Sequence, residues 1–294
     1  MKILKNILII GKDSYIGESI YVWLNKYPDK YNVDIVSPLN SAWKENDFSK
    51  YETVVDLAGI AHIANITEDM KDLFYSVNRD LTIEIGEYAK MHGVKHFIYF
   101  SSMNVYGDFC QIVKDRNAEN PTSFYGDSKY QGDIGLRKLA DENFKVASVR
   151  PPFVYGKNCK GNYNTVKNLA IKLPVFPTFQ NKKSMIYIDN LCEFVRLLIS
   201  EELGGVFTPQ NKELVSTAEL IKEIAKNNNH KVLFTGIFNW LIPTAMKMVG
   251  SIKKAFTDDS YELSLSDHFD FKYCIVDFEK SIYFTEQKRR KKDE

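Results

Sequence analysis

Short apolar runs alternate with stretches of helical apolar spacing through the first half of the chain. Residues 7–10, 33–36, 53–58, 96–100 and 144–149 read as strands. Residues 17–27, 73–92 and 128–141 carry apolar positions at helical spacing, and Gly93 is a stop signal for the second of these helices. Strands alternating with helices predict an α/β fold built on a doubly wound parallel sheet of the Rossmann kind. The texture changes after Arg150-Pro151-Pro152. Prolines cluster at Pro151, Pro152, Pro174 and Pro177, and 156–184 reads as loop-rich. Residues 185–188 then read as a strand and 191–200 as a buried helix returning to the first domain. The expected division is a Rossmann domain over 1–155 with 185–200, and a smaller, partly discontinuous C-terminal substrate domain over 156–184 and 204–287. The last residues, 288–294, form a basic tail that reads as a solvated end.

Gly11-Lys12-Asp13-Ser14-Tyr15-Ile16-Gly17 stands between the first strand and the first helix. That is the place of a dinucleotide-binding turn. Gly11 allows a tight turn and Gly17 allows close helix–sheet packing. The backbone N–H groups of Ser14, Tyr15 and Ile16 at the helix N-terminus face the pyrophosphate of a bound cofactor. Ser14 replaces the middle glycine, but it is small and can donate a hydrogen bond. The second strand runs from Val36 into Ser37-Pro38-Leu39. It ends in neither an acid for a free ribose nor an arginine for a 2′-phosphate, and Asp34 lies inside it. The cofactor is therefore NAD or NADP.

Further on, Ser102 follows the strand at 96–100, and Tyr125-Gly126-Asp127-Ser128-Lys129 follows 23 residues later. This set can move a proton while a nicotinamide moves a hydride. A tyrosine titrates near ~10, and a lysine ammonium close by favours its phenolate. Residues four apart on a helix share one face, which brings Tyr125 and Lys129 together. Ser102 can hold the substrate oxygen or relay the proton. Tyr163-Asn164-Thr165-Val166-Lys167 has the same spacing, but no serine-bearing strand precedes it at a suitable distance. It reads as a decoy.

With these residues in hand, the chain resembles the extended short-chain dehydrogenase/reductase family, and within it the nucleotide-sugar epimerases and reductases. The resemblance runs from residue 3 to about 200. It rests on Gly11 and Gly17, Asp47-Phe48, Leu57-Ala58-Gly59, Asn78, Ser101-Ser102 with Val105-Tyr106-Gly107, Tyr125 with Lys129, and Arg150-Pro151-Pro152-Phe153-Val154-Tyr155-Gly156, in that order. It implies that Asp47 holds the adenine amino group with Phe48 beside the ring. Leu57, Ala58 and Gly59 line the cofactor, as do Pro152 and Val154. Asn78 supports the cofactor site, or alternatively bridges helix backbone. Tyr125 is the proton donor or acceptor, Lys129 binds the nicotinamide ribose and tunes Tyr125, and Ser102 bonds the sugar oxygen, with Met103 and Asn104 beside it. In related epimerases a basic residue at the place of Lys183 binds the nucleotide diphosphate; Asn162, in Lys160-Gly161-Asn162-Tyr163, is a further candidate for the substrate. Lysine supplies a point charge rather than a fork, and a solvated loop lysine is the plainer reading. The resemblance also implies a homodimer built on the helices at 73–92 and 128–141, whose apolar faces could equally pack on their own sheet.

Composition narrows the partners. The formal net charge is +1, which gives no reason to expect a nucleic acid. Cys110, Cys159, Cys192 and Cys274 are widely spaced and read as free thiols, and neither they nor the five histidines have metal-ligand spacing. The first apolar run is too short for a signal peptide, and no stretch reaches the ~18 apolar residues of a membrane span. A soluble, cytoplasmic protein is expected. Residues 237–256 are apolar with Lys247, Lys253 and Lys254; they read as a lid or core helix interrupted by Pro243, or as an interfacial helix.

Sugar-nucleotide dehydratases of this family carry Asp-Glu directly after the catalytic Ser/Thr. Met103-Asn104 stands there instead, and neither side chain is an acid or base at neutral pH. A 4-keto-reductase or a 4-epimerase remains. The chain length, the segment 150–156 and the loop 160–163 most resemble bacterial reductases of UDP-4-keto-6-deoxy-N-acetylhexosamines, which serve surface-polysaccharide synthesis. A UDP-hexose or UDP-N-acetylhexosamine 4-epimerase is the alternative, and a non-catalytic NADP-binding redox sensor the third.

Overall fold

The computed structural model describes residues 4–61, 67–108, 111–159, 161–237 and 239–287. Cys110, Lys160 and the basic tail at 288–294 lie outside these residues. In chain order the first elements are Lys5–Ile10 (β1), Tyr15–Leu24 (α1), Tyr31–Val36 (β2), Thr53–Asp56 (β3), Lys71–Tyr75 (α2), Thr82–Met91 (α3), His96–Phe100 (β4), Gln111–Val113 (β5), Phe124–Leu139 (α4) and Lys145–Val149 (β6). Phe153–Tyr155 (β7), Asn162–Lys172 (α5), Val175–Pro177 (β8), Met185–Tyr187 (β9), Ile188–Glu201 (α6), Gly205–Phe207 (β10) and Thr217–Asn227 (α7) follow. The last are Leu233–Thr235 (β11), Ile242–Met248 (α8), Gly250–Phe256 (α9), Asp259–Tyr261 (β12), Leu263–Ser266 (α10) and Phe278–Glu286 (α11).

Six strands form one sheet in the order β10-β6-β4-β3-β1-β2, every pair parallel. Parallel strands covered on both faces carry unbroken apolar runs, and β1 shows why. Ile7 and Ile9 belong to one core, with Ile20 and Leu24 of α1 and Leu191, Phe194 and Leu198 of α6. Leu8 and Ile10 belong to the other, with Trp43, Phe48, Ile85 of α3 and Leu136 of α4. The first core continues through Ile221, Phe256 and Ile282, so the C-terminal half is fused to the sheet through shared apolar packing.

Four expectations are corrected. The helix expected at 73–92 runs from 71 to 91 and holds a π-helical stretch, Ser76–Leu81, where Asn78 is turned to another segment. The helix expected at 128–141 begins at Phe124, capped by Ser123, whose hydroxyl accepts from Gly126 N. Within the loop-rich stretch lies α5, whose asparagine-rich sequence is a poor helix former but which packs on α7. Strand β10 is an edge of the main sheet, beyond the boundary placed before 204, while β9 pairs with β7 in a separate two-stranded sheet. Gly93, at φ 81, ends α3 as read from the sequence.

The helix carrying Tyr125 and Lys129 is pinned by a buried charge network. Arg150 and Asp133 are both wholly buried. Arg150 Nε donates to Asp133 Oδ2 at 2.8 Å, its Nη2 to Glu119 Oε1 at 2.7 Å and its Nη1 to Tyr106 Oη at 2.6 Å. Ser148 Oγ of β6 donates to Asp133 Oδ1 at 2.5 Å. Asp133 lies one turn beyond Lys129, so the network joins α4 to β6 and to the turn after Ser102. Removing one partner strands the other charge in the interior. We expect Asp133→Ala to lower unfolding stability by about 3–5 kcal/mol, measured by urea denaturation; a loss under about 1 kcal/mol would show that the network holds nothing together.

Candidate active site

The glycine turn is closed by Ser14. Its hydroxyl donates to Gly11 O at 2.6 Å and accepts from Gly17 N at 3.0 Å, capping α1. A Cβ on Gly17 would collide with Gly11 O, and one on Gly11 would meet Leu57 Cβ at 3.0 Å. Both glycines are needed for close approach. The left-handed residue of the turn is Asp13, at φ 69. Ser14 is likewise committed to the turn itself. Tyr15 and Ile16 open α1 behind it, their side chains packed against the larger core.

Asp47 is exposed and accepts from Ser49 N at 3.2 Å and Ser49 Oγ at 2.6 Å, and this bonding with Ser49, helped by Lys50, holds its carboxyl below the usual range. Phe48 was expected beside an adenine ring. It is wholly buried instead, its ring 6.0 Å from Trp43 and 5.0 Å from Tyr88. Aromatic packing in the core takes its side chain, so only its backbone can face a ligand.

At the end of β3, Asp56 Oδ1 accepts from Ala58 N at 2.8 Å, and its Oδ2 accepts from Thr82 Oγ1 at 2.8 Å. Gly59 follows. A Cβ there would lie 2.5 Å from Lys129 Nζ and 3.0 Å from Asn78 Oδ1. Asn78 is wholly buried: its Oδ1 accepts from Ile60 N at 2.7 Å, and its Nδ2 donates to Ser128 Oγ at 3.0 Å. It therefore bridges the loop after β3 to α4.

Lys129 Nζ donates to Ala58 O at 3.2 Å and Phe100 O at 3.0 Å, and sits 5.0 Å from the centre of the Tyr99 ring. Burial pushes its pKa down to about 8, while the Asp56 charge pulls it up. Asp56 is itself pushed up to about 6 by burial, against its bonds to Ala58 and Thr82 and the Lys129 charge. Tyr125 stands in the first turn of α4. Burial of its hydroxyl raises its pKa, Ser102 draws it back, and the Asp108 charge adds to the rise. The lowering expected from Lys129 is not seen here, because that ammonium is turned to the carbonyls of Ala58 and Phe100.

Ser102 caps the 3₁₀ turn Met103–Tyr106: Oγ accepts from Asn104 N at 3.2 Å and donates to Asn104 Oδ1 at 3.0 Å. Asn104 Nδ2 donates to Asp108 Oδ1 at 2.6 Å. Met103 is buried in a small cluster with Val105, Tyr106 and Tyr261, which turns it away from the substrate role expected of it. Gly126, inside the Tyr125–Lys129 motif, was not singled out by the sequence reading. A Cβ on it would collide with Asn104 O, so this glycine lets Tyr125 reach the Ser102 turn. Gly132 does the same against Asn78 O, at 2.5 Å.

Pro152 is buried and Val154 part-buried in β7, which pairs with β9. Asn162 is the first residue of α5 rather than a loop residue, and its Oδ1 accepts from Lys254 Nζ at 2.8 Å. Lys183 Nζ donates to Lys254 O at 3.0 Å. The expected diphosphate residue Lys183 and the substrate candidate Asn162 thus meet at Lys254, in the run 237–256. The decoy pair serves structure: Tyr163 Oη donates to Glu286 Oε1 at 2.8 Å and Lys167 Nζ is 2.6 Å from Glu286 Oε2. Among the described residues no cluster of ligating side chains could hold a metal.

The turn closed by Gly11, Ser14 and Gly17 fits a dinucleotide pyrophosphate: a side chain at either glycine would fill the space where backbone must close up. Known proteins agree. The chain is 28% identical over 252 residues to a UDP-glucose 4-epimerase of Vibrio cholerae, covering 76% of each chain. It is 26% identical over 245 residues to an N-acetyl-alpha-D-glucosaminyl-diphospho-ditrans,octacis-undecaprenol 4-epimerase of Escherichia coli O157:H7, covering 77% of this chain and 73% of that one. Its fold matches a UDP-glucuronic acid 4-epimerase of Bacillus cereus solved with NAD, at a TM-score of 0.70 and 17% identity over 96% of this chain and 97% of the other. Solved chains of this fold hold NAD or NADP. Residues 7–207 match the NAD dependent epimerase/dehydratase family, and the chain belongs to it.

Proposed function

We propose that the chain is an NAD(P)-dependent oxidoreductase acting at C4 of a UDP-hexose or UDP-N-acetylhexosamine, and that it is a 4-epimerase. What supports the chemistry is that Tyr125 is hydrogen-bonded to Ser102, and that Lys129, one turn further along the same helix, bonds Phe100 O at the C-terminal end of β4. Ligands of open α/β sheets sit at these strand ends. The preference for epimerisation over the reduction expected from sequence rests on the two 4-epimerases that match three quarters of the chain. A reductase uses the second half of the same cycle.

A nicotinamide held at this site would supply the chemistry of taking a hydride from C4 and giving it back. On this reading Tyr125 takes the proton of the C4 hydroxyl and returns it to the C4 oxygen after the ketosugar has turned its opposite face to the cofactor. Ser102 steadies the oxygen between these steps. Lys129, held by two carbonyls, has a third N–H left for a ribose hydroxyl. Its charge favours the Tyr125 phenolate once bound groups draw it from those carbonyls. Dehydration finds no acid–base pair at 103–104, since Met103 is buried in the core and Asn104 is hydrogen-bonded to Ser102 and Asp108.

Two outcomes are expected. Tyr125→Phe lowers kcat for interconversion of UDP-glucose and UDP-galactose, or of their N-acetyl forms, by roughly 10²–10⁴-fold, with circular dichroism unchanged. Wild type that oxidises NADH or NADPH stoichiometrically on a UDP-4-keto-6-deoxy sugar, and interconverts nothing, is instead a reductase. Asp56→Asn moves the alkaline limb of the kcat/KM profile. The Asp56 charge raises the Lys129 pKa, which lies at about 8. Without that charge Lys129 loses its proton at lower pH, and the limb moves down. A limb that stays in place would mean that Lys129 does not set it.

A further inference from the structure

The charge of this chain is nearly balanced overall, yet it is strongly segregated. Residues 157–188 contain six lysines and no aspartate or glutamate, and residues 224–257 contain five lysines and no aspartate or glutamate. Elsewhere 28 basic residues face 38 acidic ones. The two acid-free segments are brought together in space. β8 pairs with β11, and α5 packs on α7. Asn162 of the first segment bonds Lys254 of the second.

The same region exposes large apolar side chains. Ile237 is 73% exposed, Trp240 75% and Met248 81%, with Leu241 and Val249 also exposed. Ile242, Met246, Ala255 and Phe256 of the same segment pack inward on the core. Trp240, Thr244, Lys247 and Met248 fall at helical spacing on the opposite side. This unit is thus apolar on both its faces, and lysines rim the outer one.

We propose that the outer face of α8 and α9 docks on an anionic lipid bilayer. Exposed Trp, Met and Ile among lysines, with no acid in the segment, are the features of a surface that sinks shallowly into lipid and is drawn there by headgroup charge. No described helix is long and apolar enough to cross a membrane, so contact is confined to the interface. Lys183 bonds Lys254 O of α9, which places the docked face beside the expected diphosphate residue. The docking surface itself is independent of the reaction assigned above, and binding can be read without substrate.

The test is flotation of the full chain with vesicles of phosphatidylcholine and phosphatidylglycerol, against vesicles of phosphatidylcholine alone. Binding is expected on the anionic vesicles, falling as salt rises. Trp23 and Trp43 are buried, so a blue shift of tryptophan emission on binding reports Trp240. Lys247→Glu is expected to weaken binding about tenfold, and Trp240→Ser with Met248→Ser to lower it further, with epimerase activity on soluble UDP-sugar retained. Failure to float with anionic vesicles at low salt would overturn the proposal, as would flotation indifferent to these substitutions. Self-association abolished by Trp240→Ser, without vesicle binding, would assign the face to a second copy of the chain instead.

Discussion

The arrangement of the site hangs on one buried ammonium. Lys129 is taken almost wholly out of water and tied to the carbonyls of Ala58 and Phe100. Those carbonyls follow β3 and close β4, neighbouring strands of the sheet. A charge removed from water must find acceptors nearby, so its position fixes how close α4 comes to the strand ends. Gly59 gives Nζ the room to arrive. Gly132 lets the helix rest on the backbone of Asn78, and Gly126 lets its first turn rest on Asn104. Each glycine removes a side chain along one seam, and together the seams bring Tyr125 to Ser102.

That constraint has an electrical consequence. Burial drives Lys129 and Tyr125 toward their neutral forms. A lysine lowered to about 8 still carries its charge at neutral pH, and Asp56 offsets part of the desolvation. Asp56 in turn is held by Ala58 N and Thr82 Oγ1. The Lys129 charge is therefore supported by a buried carboxyl that touches no ligand in our reading. The Arg150–Asp133 network supports the same helix one turn further along, so α4 is held by buried charge at two levels.

The sheet was readable because its inner strands are covered on both faces, which leaves unbroken apolar runs such as 7–10 and 96–100. The site was readable because its chemistry needs side chains of few types at fixed spacing. What stayed hidden has physical reasons. The start of α4 is masked by Gly126, a weak helix former that close packing demands. Helix α5 has no intrinsic preference worth reading and forms because α7 covers it. Phe48 and Met103 look like site residues from their neighbours in the chain, yet packing draws their side chains into cores. Lys254 could not be seen as a partner of Asn162 and Lys183, because sequence distance hides a contact between 162 and 254. A glycine within a helical motif, as at 126, is a signal that could have been used: an interior glycine that costs helix stability calls for a close neighbour.

Average charge was the least informative number in the sequence. A net +1 conceals an acid-poor, lysine-rich region balanced by an acidic remainder. Such segregation raises repulsion within the lysine-rich part, and the ion pairs of Lys167 and Lys226 reach out to Glu286, Glu223 and Glu279, all outside the two segments. Exposed tryptophan and methionine on the same region add a second unfavourable term, since apolar surface is left in water. Both terms change sign against one kind of surface, a negatively charged layer with an apolar interior. The features that make this region a poor exterior for a dissolved protein are those that suit it to a bilayer interface.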